Sequence, residues 1–101
     1  MKVYIDDIRT PRNKYDKVLR NSEESIEYFT RYGCPEFISF DHDLGGDDTA
    51  MRIVKFLIEM DLDMQGEFIP IDFTFNVHSA NPVGKKNIEG YLGCYLRRKL
   101  L

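Results

Sequence analysis

The sequence predicts a small α/β domain built on a mostly parallel sheet of about four strands, and three features point to it. Short apolar runs, Val3-Tyr4-Ile5, Phe37-Ile38-Ser39-Phe40 and Phe75-Asn76-Val77, have strand length and are rich in β-branched and aromatic residues. Helical periodicity separates and follows the later runs. Each run also ends on a polar cluster: Asp6-Asp7, Asp41-His42-Asp43 and His78-Ser79-Ala80-Asn81-Pro82. In parallel strands these clusters meet along the carboxyl edge, where open α/β sheets bind ligands.

After the first strand, Arg9-Thr10-Pro11-Arg12-Asn13 is polar and broken by proline, so a short strand near Lys17-Val18-Leu19-Arg20 is expected next instead of a full helix. Asn21 then caps a helix, with Glu24 in the reciprocal capping position. Ile26 and Phe29 form its core face, and Gly33 with Pro35 stops it. The run Phe37 to Asp41 is nearly continuous in apolar residues, which suits a central strand covered on both faces. Past the glycine turn Gly45-Gly46, Asp48 or Thr49 opens a helix whose Ala50, Ile53, Val54, Leu57 and Ile58 follow helical spacing. Between Asp61 and Asp72, Pro70 interrupts Phe68-Ile69-Pro70-Ile71 and reduces it to a loop or the lead-in to a strand. Asn81 and Pro82 open the last helix, with Ile88, Tyr91, Leu92, Tyr95 and Leu96 on its apolar face. Arg97, Arg98 and Lys99 complement the dipole at its end.

With 101 residues, 43% hydrophobic and 31% charged, the chain suits one modest core in a single unit spanning 1–101. No stretch approaches the roughly 18 apolar residues of a membrane helix. Met1-Lys2 leads into a strand and not a signal peptide, so a cytoplasmic chain without a membrane partner is expected. The formal charge of -3 disfavours a general nucleic-acid coat but leaves binding of a nucleic-acid end open. Cys34 and Cys94 match no metal spacing and supply no disulfide framework, so buried or half-buried thiols are expected.

Gathering Asp6, Asp7, Asp41 and Asp43 at one edge is unfavourable unless a cation neutralises them or one stays protonated. Hard divalent cations take oxygen ligands, so a divalent ion, Mg2+ or Mn2+, is the expected cofactor; the alternative for each acid is a strand-end cap. Asp41-His42-Asp43-Leu44-Gly45-Gly46 partly imitates a calcium loop, but Gly45 and Arg52 stand where that loop needs oxygen ligands. His42 and His78 both end strands beside the acids, which suits proton transfer at a phosphate; otherwise they hold the loops through hydrogen bonds. Ser79 either donates to a phosphate oxygen or stabilises its turn. The helix start at Asn81 with Lys85 forms a candidate anion site, although Lys85 alone reads more readily as a solvated surface charge. Arg9 either clamps a phosphate or pairs with a neighbouring carboxylate.

These residues resemble the receiver superfamily of two-component signalling, with Asp6-Asp7, Asp41 and Ser79-Ala80 at the places of its acidic pair, phosphorylated aspartate and Ser/Thr-Ala. The first helix and the fifth strand with its lysine are missing, which disfavours a phosphoacceptor switch. Three segments look like a narrower group, the cyclic-phosphate-processing receiver-like family: Ile5-Asp6-Asp7-Ile8-Arg9-Thr10-Pro11, Ser39-Phe40-Asp41-His42-Asp43-Leu44-Gly45 and His78-Ser79-Ala80-Asn81-Pro82-Val83-Gly84. That resemblance implies a three-layered receiver-like (flavodoxin-like) fold with strand order 2-1-3-4. It also implies a metal-assisted phosphoesterase acting on cyclic phosphates, including 2',3'-cyclic phosphate ends in RNA repair. His42, His78 and Ser79 are then catalytic, Arg9, Asn81 and Lys85 bind phosphate, and the four aspartates hold metal. The expected partner is a phosphate-containing small molecule or an RNA end. The competing class is a non-catalytic module that binds a phosphate ligand or a protein through the same edge.

Overall fold

The computed structural model describes all 101 residues and contains β1 (Lys2–Ile5), β2 (Lys17–Leu19), α1 (Ser22–Tyr32), β3 (Phe37–Phe40), α2 (Met51–Asp63), β4 (Thr74–Val77) and α3 (Pro82–Lys99). Every strand pair is parallel and the order is β2-β1-β3-β4, the expected arrangement with no fifth strand. Register aligns Leu19, Ile5, Phe40 and Val77 across the sheet, and all four are buried. Phe29 of α1, Ile53, Val54 and Leu57 of α2, and Ile88 and Leu92 of α3 close one core over this face.

The crossovers β2-α1-β3 and β3-α2-β4 step the same way across the sheet, so right-handed connections put α1 and α2 on one face. α3 packs beside α2 in the same layer. The expected third layer is therefore reduced to the irregular segment 6–16, because its proline-broken polar run builds no helix. Alternation points Tyr4, Phe37 and Ser39 to that side. Tyr15 covers the two rings, its centroid 5.2 Å from Tyr4 and 6.3 Å from Phe37.

Asn21 Oδ1 accepts the Glu24 N–H at 2.7 Å, as expected, but no return bond from the Glu24 side chain forms; the Ser25 hydroxyl donates to the Asn21 carbonyl instead. The buried face of α1 is Ser22, Ser25 and Phe29, leaving Ile26 half-buried. Asp48 does not open α2. Its carboxylate accepts from the Ser22 amide (2.8 Å) and hydroxyl, tying the β3-α2 loop to the start of α1, while Thr49 Oγ1 accepts the Met51 N–H at 3.3 Å. On α3 the buried stripe is Gly84, Ile88 and Leu92 at four-residue spacing, so Tyr91, expected in the core, lies on the neighbouring stripe and is 50% exposed. Cys94 is likewise exposed, whereas burial pushes the half-buried Cys34 thiol up to about 12.

Asp61 organises the stretch before β4. Fully buried, it accepts the Phe68 and Ile69 amides at 3.0 and 2.7 Å, the Tyr95 hydroxyl at 2.7 Å, and pairs with Lys99 at 3.0 Å. Burial opposes its charge, but these bonds prevail and hold the carboxyl below its ordinary range; burial and the Asp61 charge push Tyr95 up to about 12. No helix is long and apolar enough to cross a membrane.

Candidate functional site

The carboxyl ends of β1 and β3 bring three of the four aspartates together: carboxylate oxygens of Asp6, Asp7 and Asp41 lie within 4.8 Å of one another. Parallel pairing causes this, since the Asp41 amide bonds the Ile5 carbonyl at 2.8 Å and the Asp6 amide bonds that of Leu19 at 3.1 Å. Asp7 faces the glycine turn, where a Cβ on Gly45 would stand 3.6 Å from its carboxylate; Gly45 and Gly46 have φ of 96° and 56°, which favour glycine. The donor set is all oxygen and negatively charged, so the cluster can hold a hard divalent cation.

Asp6 is 1% exposed and carries four bonds. Oδ1 accepts the Ile8 and Arg9 amides at 2.9 and 2.7 Å; Oδ2 accepts Arg9 Nε and His78 Nε2, both at 3.0 Å. Burial opposes its charge, yet the amides, His78 and the guanidinium outweigh it and hold the carboxyl below its usual range. Asp41 shifts the other way, raised by burial and then by the Asp6 charge. Arg9 reaches Asp41 Oδ1 at 3.7 Å and donates to the His78 carbonyl at 3.4 Å, so it pairs with carboxylates as one of its two expected roles required.

The two histidines occupy different situations. His78 stacks on Tyr4 with centroids 4.4 Å apart and planes within 5°, and both its nitrogens are engaged. Nε2 faces the acceptor-only Asp6 carboxylate and so carries the proton, while Nδ1 accepts from the Ser39 hydroxyl at 2.7 Å; Ser39 in turn accepts from Asn76 Nδ2 at 3.4 Å. Burial, only partly offset by Asp6, lowers the His78 pKa and keeps the ring neutral. His42, 9% exposed, directs Nδ1 at Asp43 Oδ1, 3.0 Å away, and leaves Nε2 without a partner in the chain but not fully occluded.

Asp43 thus stands outside the carboxylate cluster, held by His42 and by Asn81 Nδ2 at 3.2 Å, and those bonds lower its pKa. Asn81 also caps α3, accepting the Gly84 N–H at 3.0 Å. With Pro82 lacking an N–H, Val83 keeps the one free amide in the first helical positions. Ser79 Oγ accepts the Asn81 N–H at 3.0 Å, and Lys85 is exposed.

Residues 1–93 match the family model described as the cyclic-phosphate processing receiver domain. The chain belongs to this family. No curated protein and no solved structure matches it. Within this receiver-like site the sequence reading omitted Ser39 and Arg20, and took Gly84 only as part of the helix start and not as a neighbour of His42. Ser39 is the one polar side chain in Phe37-Ile38-Ser39-Phe40, a signal that could have marked it. Gly84 lies flat under the His42 ring, and Arg20 donates to the Asp6 and Arg9 carbonyls at 3.0 and 2.7 Å; neither has a local signature in sequence.

Proposed function

We propose that the chain is a metal-assisted phosphoesterase that hydrolyses cyclic phosphates, on small molecules or at RNA ends. The observation that carries this reading is the cluster of Asp6, Asp7 and Asp41 next in the chain to a histidine with a free ring nitrogen. A divalent cation, Mg2+ or Mn2+, held by those carboxylates would supply positive charge to a phosphoryl oxygen. His42 Nε2 takes the proton of the attacking water, and Asp43 holds the opposite N–H and stabilises the imidazolium. Water oxygen bonds to phosphorus, one ring P–O bond breaks, and the proton passes from His42 to the departing alkoxide, giving a monoester. His78 stays neutral and orients Asp6. Ser79, whose hydroxyl proton has no acceptor in the chain, together with Arg9 and Lys85, contacts phosphate, and Asn81 serves them by capping α3 and holding Asp43.

A non-catalytic phosphate-binding module is the second reading, favoured by the complete internal bonding of Asp6 and His78. The test is a turnover screen of 2',3'-cyclic nucleotides, cyclic-phosphate RNA ends and simple phosphoesters with Mg2+, Mn2+ or EDTA. Metal-dependent turnover that His42→Gln abolishes, with substrate binding retained, supports the enzyme. Binding without turnover in every condition supports the module.

A further inference from the structure

The reading of Asp6, Asp7 and Asp41 as a cation site leaves open how Asp6 would coordinate anything, because a carboxylate offers roughly four lone-pair sites and all are used. Direct coordination requires one of its four donors to leave. The Ile8 and Arg9 amides belong to the turn after β1, which Arg20 fixes through the Asp6 and Arg9 carbonyls. His78 is held on its far side by Ser39, itself 1% exposed, and stacked on Tyr4. The Arg9 side chain remains: it is 53% exposed, and beyond Asp6 it makes only the 3.7 Å approach to Asp41 and the 3.4 Å bond to the His78 carbonyl.

We infer that the Arg9 guanidinium is a built-in counter-ion of Asp6 and Asp41, which a divalent cation must displace in order to bind. The inference rests on the cation reading of the cluster. It assigns Arg9 a role opposite to that of an accessory metal-site residue: its charge and the cation exclude one another at Asp6 Oδ2. Departure of the side chain leaves both backbone amides on Oδ1, so Asp6 keeps its place for coordination. A displaced guanidinium remains tethered at the same sheet edge, free to meet a phosphate oxygen.

Calorimetric titration of Mg2+ and Mn2+ into the full chain and into Arg9→Gln and Arg9→Ala tests this, with circular dichroism confirming folding. Both variants should bind the cation more tightly, by roughly tenfold, since a charge-assisted bond no longer has to be broken. In the wild-type chain the Arg9 Nε–H resonance should shift and exchange faster at saturating Mg2+, a readout independent of either variant's stability. Equal or weaker affinity in the variants, or an unmoved Arg9 signal in cation-saturated wild type, overturns the inference while leaving the cation site in place. Absence of cation binding in the wild type and both variants overturns the metal-assisted reading together with it.

Discussion

Replacing Gly84 with alanine tests whether α3 is the surface against which His42 is set. An ideal Cβ at position 84 would stand 2.3 Å from His42 Cγ, 2.6 Å from Nδ1 and 2.7 Å from Cδ2. Carbon atoms in contact need about 3.5–4.0 Å, so the ring has to retreat by more than about 1 Å. The helix backbone is the less free partner, because the Gly84 and Lys85 amides bond Asn81 at 3.0 and 2.9 Å. Retreat of the ring sacrifices the 3.0 Å bond to Asp43. Overpacking of this kind costs about 1–3 kcal/mol, offset by about 0.5–1 kcal/mol from replacing glycine inside a helix. The net loss, up to about 2.5 kcal/mol, lowers Tm at about 4–8 °C per kcal/mol for a domain of this size. Gly90→Ala is the control: the same chemistry on the same helix, with nothing within 4 Å of the new methyl, should raise Tm slightly. Scanning calorimetry of both variants, with cyclic-phosphate turnover, reads the outcome. A Gly84→Ala protein as stable and as active as Gly90→Ala would refute the packing of His42 on α3.

Asp41→Asn should raise Tm at pH 7, since burial and the Asp6 charge both disfavour its ionised form, and should weaken Mg2+ affinity; a lower Tm by calorimetry contradicts this account. Ser39→Ala removes the donor to His78 Nδ1 and should cost about 1–3 kcal/mol in urea unfolding, while imidazole 15N shifts move from one tautomer toward a mixture; an unchanged spectrum counts against the lock. Because the folded His78 pKa is depressed, the unfolded chain binds its proton first, so stability declines as pH falls below about 6.5; circular dichroism should show this phase in the wild type and not in His78→Gln. Asp6, Asp48 and Asp61 are also held below their ordinary values, so a second and larger loss should follow below about pH 4, as pH falls through their folded values.

Local chemistry made much of the fold readable in advance. Strand composition located β1, β3 and β4, the Asn21 and Asn81 caps located two helix starts, and helical spacing identified the buried face of α2. What escaped was set by partners distant in the chain. Asp48 reads as a cap for the helix beside it, yet Ser22, twenty-six residues earlier, takes its carboxylate. Asp61 reads as the edge of a loop, but the amides of Phe68 and Ile69 and the ends of Tyr95 and Lys99 make its burial possible. At the site, the meeting of Asp6, Asp7 and Asp41 follows from parallel strands alone. The separation of Asp43 from them does not, because it depends on which way His42 and Asn81 point across the loop. The different settings of the two imidazoles also required the fold: Ser39 lies 39 residues from His78 in sequence and 2.7 Å away in space.

The segment between β1 and β2 performs two tasks at once. Its first residues, Asp6, Asp7 and Arg9, line the site, and its last aromatic, Tyr15, covers the second face of the sheet. No helical ladder holds the residues between them, so their order depends on the Arg20 bonds at one end and ring contacts at the other. A segment held by so few backbone bonds should open at a lower free energy than the sheet beside it. Its amides should exchange with solvent ahead of those of β3. A substitution at Tyr15 would loosen the turn after β1 without touching any group in it, making solvent exchange at Ile8 and Arg9 a remote gauge of how firmly the covering ring is seated.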